Sequence, residues 1–428
     1  MKYKISTLGC KVNQFETQAL ETILQSRDIM PAEEEERADI IIVNTCAVTA
    51  ESGRKSRQTI RKLIGENPGS LVAVCGCYSQ LSPSEIEELG VDVIHGSGDK
   101  ERLADDIEKA FFDKQKIEFT DDPFERRIME ELPSGAVEGR TRAMLKIQDG
   151  CTNFCSYCII PYTRGRVRSL PPERCSVQTK ALAEQGFREL VVTGIEIASY
   201  GRDLEPKSSL ADAIEAIAAK AGDMRIRLGS LEPTVITEEF CRRISATGKV
   251  CNHFHLSLQS GCDETLQRMN RKYDTARFFE SVQILRKYFP DCGLTADLIV
   301  GFPGESDEHH TQTLEFIKKC GFSSMHIFPF SKRPGTKAAQ MEGQLPNAIK
   351  SKRASETQKL ASDMENEFLT SCIGKELSVL FETEQNEMSI GHAANYSQVC
   401  VHNGHLRKLV KNVKITGIID KMLVGKLV

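Results

Sequence analysis

The chain has 428 residues, 40% of them hydrophobic and 27% charged, with a formal net charge of −4 and a mean hydropathy of −0.31. No apolar run reaches membrane-spanning length, and the near-neutral charge excludes a global basic field for nucleic acid. The start, MKYKISTLGC, is a short strand-like run rather than a charged segment followed by a long apolar one, so an export signal is not expected and a cytoplasmic location is.

The first segment alternates short β-branched runs, KYKISTLG, ADIIIVNT and LVAVCG, with helical patterns over Glu16 to Arg27 and Ala50 to Ile64. That order predicts a small parallel α/β sheet over 1–115. The stretch 116–136 is charged and broken by Asp-Asp-Pro and Leu-Pro-Ser-Gly, and it reads as a linker. From 137 to 367 the alternation resumes with a longer rhythm. Candidate strands are AMLKIQD, ELVVTGI, RIRLGSLEP, FHLSLQSG, LTADLIVGFPG and MHIFPFS, with helical patterns between them and a last helix near Ile349 to Thr370. Six βα units fit a partial (βα)6 barrel better than a closed eightfold one. From 368 to 428 short strands follow closely: ELSVLFE, YSQVCV, LRKLVKNVKITGI and KMLVGKLV. They predict a small all-β barrel of the kind that binds nucleic acid.

Fifteen cysteines, an odd number in a long chain without an export signal, point to metal or redox chemistry rather than disulfides. Three of them, Cys151, Cys155 and Cys158, crowd one loop after a predicted strand. A tetrahedral zinc site wants a fourth Cys or His, and the loop has none. A [4Fe–4S] cluster wants one ligand per iron. Three thiols leave one iron open, free to take a substrate or cofactor.

Three more, Cys10, Cys46 and Cys77, are remote in sequence, but each follows one of the three N-terminal strands. Parallel strands with right-handed crossovers bring their C-terminal ends to one edge, so the three thiols should converge there. Cys75 rivals Cys77, but it still lies within its strand. A second open-site cluster is the expectation.

The loop Cys151-x3-Cys155-x2-Cys158, with Tyr157 before the last cysteine, resembles that of the radical S-adenosylmethionine (SAM) enzymes. The resemblance implies that the open iron binds SAM. It also implies cofactor contacts from Gly194 and Glu196 after the second strand, Glu232 after the third, His255, Ser257 and Gln259 on the fourth, and Asp297 and Phe302 on the fifth. Two triads plus a β tail resemble one family more closely, the radical-SAM methylthiotransferases. The carrying motifs are LGCKVNQFET, NTCAVT, GCYSQ and, in a TRAM-like tail, GHAANYSQV.

That resemblance implies two [4Fe–4S] clusters and two uses of SAM. One SAM methylates a sulfur held on the N-terminal cluster; another is cleaved to a 5′-deoxyadenosyl radical. TLGCKVNQFE and HLSLQSG look most like the branch that methylthiolates C2 of N6-threonylcarbamoyladenosine in transfer RNA, next to the anticodon (position 37). Alternatives are isopentenyladenosine in transfer RNA, an aspartate of a ribosomal protein or, in another class, a non-catalytic iron–sulfur protein for RNA binding or electron transfer. The implied partners are a tRNA anticodon stem–loop, an electron donor of flavodoxin or ferredoxin type, and a sulfur source; a monomer is expected. No side-chain acid or base is assigned. Candidate RNA contacts are Arg164, Arg166, Asn395, Tyr396, Arg407, Lys408, Lys411 and Lys414.

Overall fold

The computed structural model of the chain describes residues 1–33, 35–134 and 141–428. Strands β1 (Lys2–Thr7), β2 (Met30–Pro31), β3 (Ile40–Thr45), β4 (Leu71–Gly76), β5 (Val93–His95) and β6 (Ile117–Phe119) form one parallel sheet in the order β2-β1-β3-β4-β5-β6. Every residue of β3 and β4 is buried, because helices cover both faces. Ile40, Ile42 and Ala73 pack with helices Lys11–Gln25 and Lys100–Asp113; Ile41, Val43, Val72 and Val74 pack with helix Ala50–Glu66 on the other side. The sequence pattern shows only β1, β3 and β4; the other three strands are two or three residues long and carry no periodicity.

β6 lies inside the stretch expected to link the domains. Past it, Arg126 pairs with Asp121 and donates to Ser97 Oγ and Gln80 Oε1, and Leu132 joins the sheet's core. That segment is held against the N-terminal sheet rather than standing free. The expected boundary at 136/137 lies outside the described residues.

The central unit carries six parallel strand positions: β7 (Arg142–Asp149), β9 (Glu189–Gly194), β10 (Arg225–Leu228) continued by β11 (Ser230–Leu231), β12 (His253–Gln259), β13 (Gly293–Val300) and β14 (Ser324–Pro329). A two-residue β8 (Arg168–Ser169) pairs antiparallel with β7. The third strand breaks at Gly229, whose N–H donates to the Val192 carbonyl at 2.8 Å. The wall is therefore two four-stranded sheets, β10-β9-β7-β8 and β11-β12-β13-β14. Along β12 to β14 outward residues such as Phe254, Leu256, Leu294 and Ala296 fill the core, while His253, His255, Thr295, Asp297 and His326 alternate with them inward.

β15 (Glu376–Gln385), β16 (Met388–Ala393), β17 (Gln398–Val401), β18 (Val410–Ile419) and β19 (Met422–Leu427) close into a barrel in the order β15-β16-β17-β19-β18. β16 is absent from the sequence expectation. The turn before it, Asn386-Glu387, has φ of +49° and +63° and so makes a tight hairpin without the usual Asn-Gly signature.

This barrel docks on the N-terminal ends of the central strands. Arg225 donates to the carbonyls of Ser378 (3.0 Å) and His392 (2.8 Å), and Arg227 to those of Ala394 (3.1 Å) and Ala393 (3.2 Å). Both arginines pair with the buried Glu189. Tyr396 stacks on His253 and His392 at ring distances of 4.6 and 5.1 Å, with Arg227 over its face. Asn395 is 5% exposed; its amide donates to Cys372 Sγ, and its oxygen accepts from the Ser397 N–H.

Asn395 is thus not presented to RNA as expected, because it is consumed inside the docking turn. Tyr396 packs on these partners yet remains 37% exposed. A Cβ at Gly293 would lie 2.1 Å from the Asn395 carbonyl oxygen. Gly293→Ala is expected to destabilise the docked chain by about 1–3 kcal/mol. Earlier proteolytic release of the C-terminal barrel would accompany a lowered melting temperature.

Candidate active site

The loop after β7 is shaped before any ligand enters it. Gly150 has φ of +73°, and a Cβ there would stand 1.8 Å from the Arg166 carbonyl oxygen, so only glycine fits. The Cys151 N–H donates to the Gly165 carbonyl (3.0 Å), the Ser156 N–H to Met269 (2.9 Å), and Asn270 Nδ2 to Phe154 (2.9 Å). Burial pushes Cys151 upward and Cys158 up to about 12, and the thiols reinforce one another. Free thiols so placed stay protonated at neutral pH, and binding metal supplies the compensation that holds thiolates.

The other three cysteines converge as the strand ends require. Cys10 caps the start of helix Lys11–Gln25, Cys46 follows β3, and Cys77 opens helix Cys77–Leu81. A Cβ at Gly9 would lie 3.0 Å from Cys46 Sγ, so the glycine lets the Cys10 and Cys46 loops approach. Burial raises the Cys46 thiol, with Cys77 adding to it; Cys10 lies at the exposed rim of the triad, and its loss of hydration there and Cys77 raise it too. Cys75 points the other way, fully buried in the core among Ile40, Ile42 and Leu103. Among the described residues only Cys262, Glu264 and His309 bring three ligand atoms within 4.8 Å of one another. Both triads are therefore spread wider than a single ion needs, which suits a cluster.

The two triads lie on one side of the molecule. Cys77 acts electrostatically on Cys158. Ile159, next to Cys158, packs with Cys77 and Tyr78, and Ser97 Oγ donates to the Thr163 carbonyl at 2.6 Å. Arg164, six residues past Cys158 and fully buried, pairs with Glu16 and donates to Asn13 Oδ1 (2.9 Å) and Cys77 Sγ (3.3 Å). Its expected role as an RNA contact is overturned, because burial removes it from any phosphate.

Arg271 is a residue of the candidate site that sequence reading missed. It donates to Cys155 Sγ (3.1 Å) and to Glu232 (3.3 Å), and no local motif marks it. Asn153 Nδ2 also reaches Glu232, at 3.0 Å. The Glu196 N–H donates to Gln148 Oε1, which fixes Glu196 beside this group. Burial, and then Glu232, push Glu196 up to about 7. Gly194 sits so close to Gln148 that a Cβ would be 2.8 Å from its carbonyl oxygen.

Lower in the lumen, His253 and His255 both reach Thr295 Oγ1 (3.0 and 2.9 Å), and His255 Nε2 lies 3.3 Å from Asp297. The His255 and His326 rings are 6.0 Å apart. Ser257 and Gln259 stand nearer the mouth; Gln259 has φ of +65° at a register shift in β12. Phe302 is 0% exposed and packs edge-on against Tyr157 and Phe330. Its side chain supports Tyr157 from behind.

Residues 145–317 match the model of the radical SAM superfamily, and residues 2–96 match uncharacterized protein family UPF0004. The threonylcarbamoyladenosine tRNA methylthiotransferase MtaB of Bacillus subtilis is 38% identical over 415 residues, covering 96% of this chain and 92% of that protein. The chain belongs to the radical-SAM tRNA methylthiotransferases.

The tRNA-2-methylthio-N(6)-dimethylallyladenosine synthase of Moorella thermoacetica is 37% identical over 392 residues, 89% of this chain and 87% of that protein. The family therefore spans two adenosine substrates at nearly equal identity. Among solved structures, the radical SAM methyltransferase TsrM of Kitasatospora setae shares the fold with a TM-score of 0.58 at 13% identity, over 90% of this chain and 79% of that one.

A methylthiotransferase of this kind is a transferase that uses SAM and two [4Fe–4S] clusters. The donor sets fit: two sets of three thiols, each short of a fourth, with glycines where the backbone must come close. When bound, the clusters and SAM supply radical and methylthio chemistry; the protein supplies position and charge. No helix among the described residues is long and apolar enough to cross a membrane.

Arg166, Lys408, Lys411 and Lys414 are exposed, as is Arg407, whose N–H donates to Glu384 at 3.2 Å. Lys411 and Lys414 lie on β18 of the C-terminal barrel.

Glu196 gives a pH test of the mouth. Its carboxylate charges as pH rises through about 7, and with Glu196 as the SAM contact that the resemblance implies, the charged form would favour the SAM ammonium. SAM affinity is expected to weaken on the acid side of that value, and Glu196→Gln to flatten the profile, as followed by equilibrium binding.

Proposed function

We propose that this enzyme adds a methylthio group to C2 of N6-threonylcarbamoyladenosine beside the anticodon of transfer RNA. The observation that carries this reading is the polar lumen. His255, Asp297 and His326 offer hydrogen-bonding groups to the space below the mouth, backed by the buried His253 and Thr295. A threonylcarbamoyl substituent carries a carboxylate, a hydroxyl and a urea that can satisfy them. An isopentenyl group could make no such bonds, and a polar site favours the substituent that can. Lys11, after Cys10 in TLGCKVNQFE, adds positive charge felt at His253.

On this reading Cys10, Cys46 and Cys77 hold one cluster and Cys151, Cys155 and Cys158 the other. Gly194, Glu196, Glu232, Ser257 and Gln259 meet SAM. His255 and Asp297, assigned to SAM from the sequence, face the base instead. The C-terminal barrel acts as a TRAM-like module, with Arg407, Lys408, Lys411 and Lys414 on phosphates and Arg166 near the mouth. A flavodoxin- or ferredoxin-type reductant and a sulfur donor complete the reaction, in the cytoplasm.

Nucleoside mass spectrometry of transfer RNA from cells with and without this protein tests the proposal. The expected result is loss of the methylthio group from threonylcarbamoyladenosine alone, with its precursor accumulating. Loss from isopentenyladenosine instead would overturn the substrate and keep the chemistry.

A further inference from the structure

We infer that Arg164 sets the reduction potential of the N-terminal cluster through a preorganised N–H···S hydrogen bond to Cys77. The inference rests on Cys10, Cys46 and Cys77 being that cluster's ligands. Every donor group of the guanidinium is engaged: Nε to Cys77 Sγ (3.3 Å), Nη1 to Glu16, and Nη2 to both Asn13 Oδ1 (2.9 Å) and Glu16 Oε2 (3.0 Å). The fork is thereby locked with one N–H aimed at the sulfur.

Asn13 extends the same network toward the other two cysteines. Its Nδ2 donates to the carbonyls of Leu8 (2.8 Å) and Thr45 (3.0 Å), in the loops leading to Cys10 and Cys46, and Cys10 Sγ lies 3.8 Å from its Oδ1. One hydrogen-bonded unit, Asn13–Arg164–Glu16, thus reaches Cys77, Cys10 and the residue before Cys46. Outer-shell groups of this kind orient ligands and tune the metal.

The charge balance points the same way. Lys146, Arg164 and Arg168 are buried beside Glu16 and Asp149, and the buried Lys100 also acts on Glu16, so cations outnumber carboxylates around the network. A cluster on three thiolates is anionic, and reduction makes it more so. An N–H donor to its sulfur and a surplus cation therefore favour the reduced form and raise the potential. Arg164 also ends helix Ile160–Arg164, which begins two residues after Cys158. The same short segment that leaves one triad delivers the tuning group to the other.

The test uses the full-length chain with Cys151, Cys155 and Cys158 changed to alanine, so that only the N-terminal cluster assembles. Arg164→Lys keeps the charge but loses the rigid fork. An EPR-monitored redox titration should show a lower midpoint for the lysine protein at equal iron and sulfide content. With Arg164 present and 15N-labelled arginine, the reduced cluster should show hyperfine coupling to an arginine nitrogen. Equal midpoints, or no such coupling, would overturn the inference. If the lysine protein fails to hold iron, the coupling measured with Arg164 in place decides. Iron retained by Cys10→Ala/Cys46→Ala/Cys77→Ala in the same background would instead defeat the ligand assignment itself.

Discussion

Changing Cys10, Cys46 or Cys77 to alanine is expected to abolish methylthio transfer while leaving reductive cleavage of SAM; changing Cys151, Cys155 or Cys158 is expected to abolish both. The loss in product should exceed about 10³-fold in each case, because ligands of one cluster act as a unit and removing one removes its function. The asymmetry follows from where the thiols sit. The loop triad lies beside Glu196, Glu232 and Arg271 at the strand ends, where the SAM contacts are proposed. The N-terminal triad sits on a separate sheet with its own core. Its removal need not disturb the SAM side. Quantifying 5′-deoxyadenosine and modified nucleoside in one reaction separates the outcomes. If the N-terminal variants also lost SAM cleavage, the two triads would be one functional unit and the division of labour would fall.

Glu16→Ala is expected to cost about 3–5 kcal/mol, because it strips the partner from buried cations. Glu16 sits on helix Lys11–Gln25 but pairs with Lys146 on β7 (2.7 Å) and with Arg164 beyond the cluster loop, all with side chains 1% exposed or less. The variant leaves Lys146, Arg164 and Arg168 sharing Asp149 alone. Burial by itself would raise the Glu16 carboxylate. Arg164, then Lys146, outweigh it and hold the group at about 2 instead of 4.5. A depressed carboxylate contributes stability that is fully present above its unfolded value and lost as pH falls through its folded one. The wild-type protein should therefore lose stability between about 4.5 and about 2, and the variant should lack that part of its acid transition. Denaturant melts across that range, in both proteins, measure it.

The two predictions draw on different kinds of legibility. The loop triad was readable because Cys151, Cys155 and Cys158 are close in sequence and strand β7 precedes them. The remote triad was readable because parallel topology sends the ends of β1, β3 and β4 to one edge. Helices were readable from their apolar period, as at Glu16 to Arg27 and Ala50 to Ile64, which form as Lys11–Gln25 and Ala50–Glu66. Strand β16 was hidden because its turn uses Asn-Glu at positive φ. Arg164 and Asn395 were misassigned for one reason: a motif gives residue type and spacing but not which side of the backbone faces solvent.

By itself, then, the sequence determined the thiol count, the strand–helix rhythm and the order of the three folding units, since those depend on local periodicity and chain direction. Only the tertiary structure decided which charges are buried. Arg164 and Arg166 are two residues apart in one basic run, yet the first is sealed against Glu16 and Cys77 and the second is exposed. The partners that make burial of the first tolerable, Glu16 and Asn13, come from about 150 residues away (148 and 151). Long-range pairing of that kind stabilises through desolvated contact, and no window along the chain contains it.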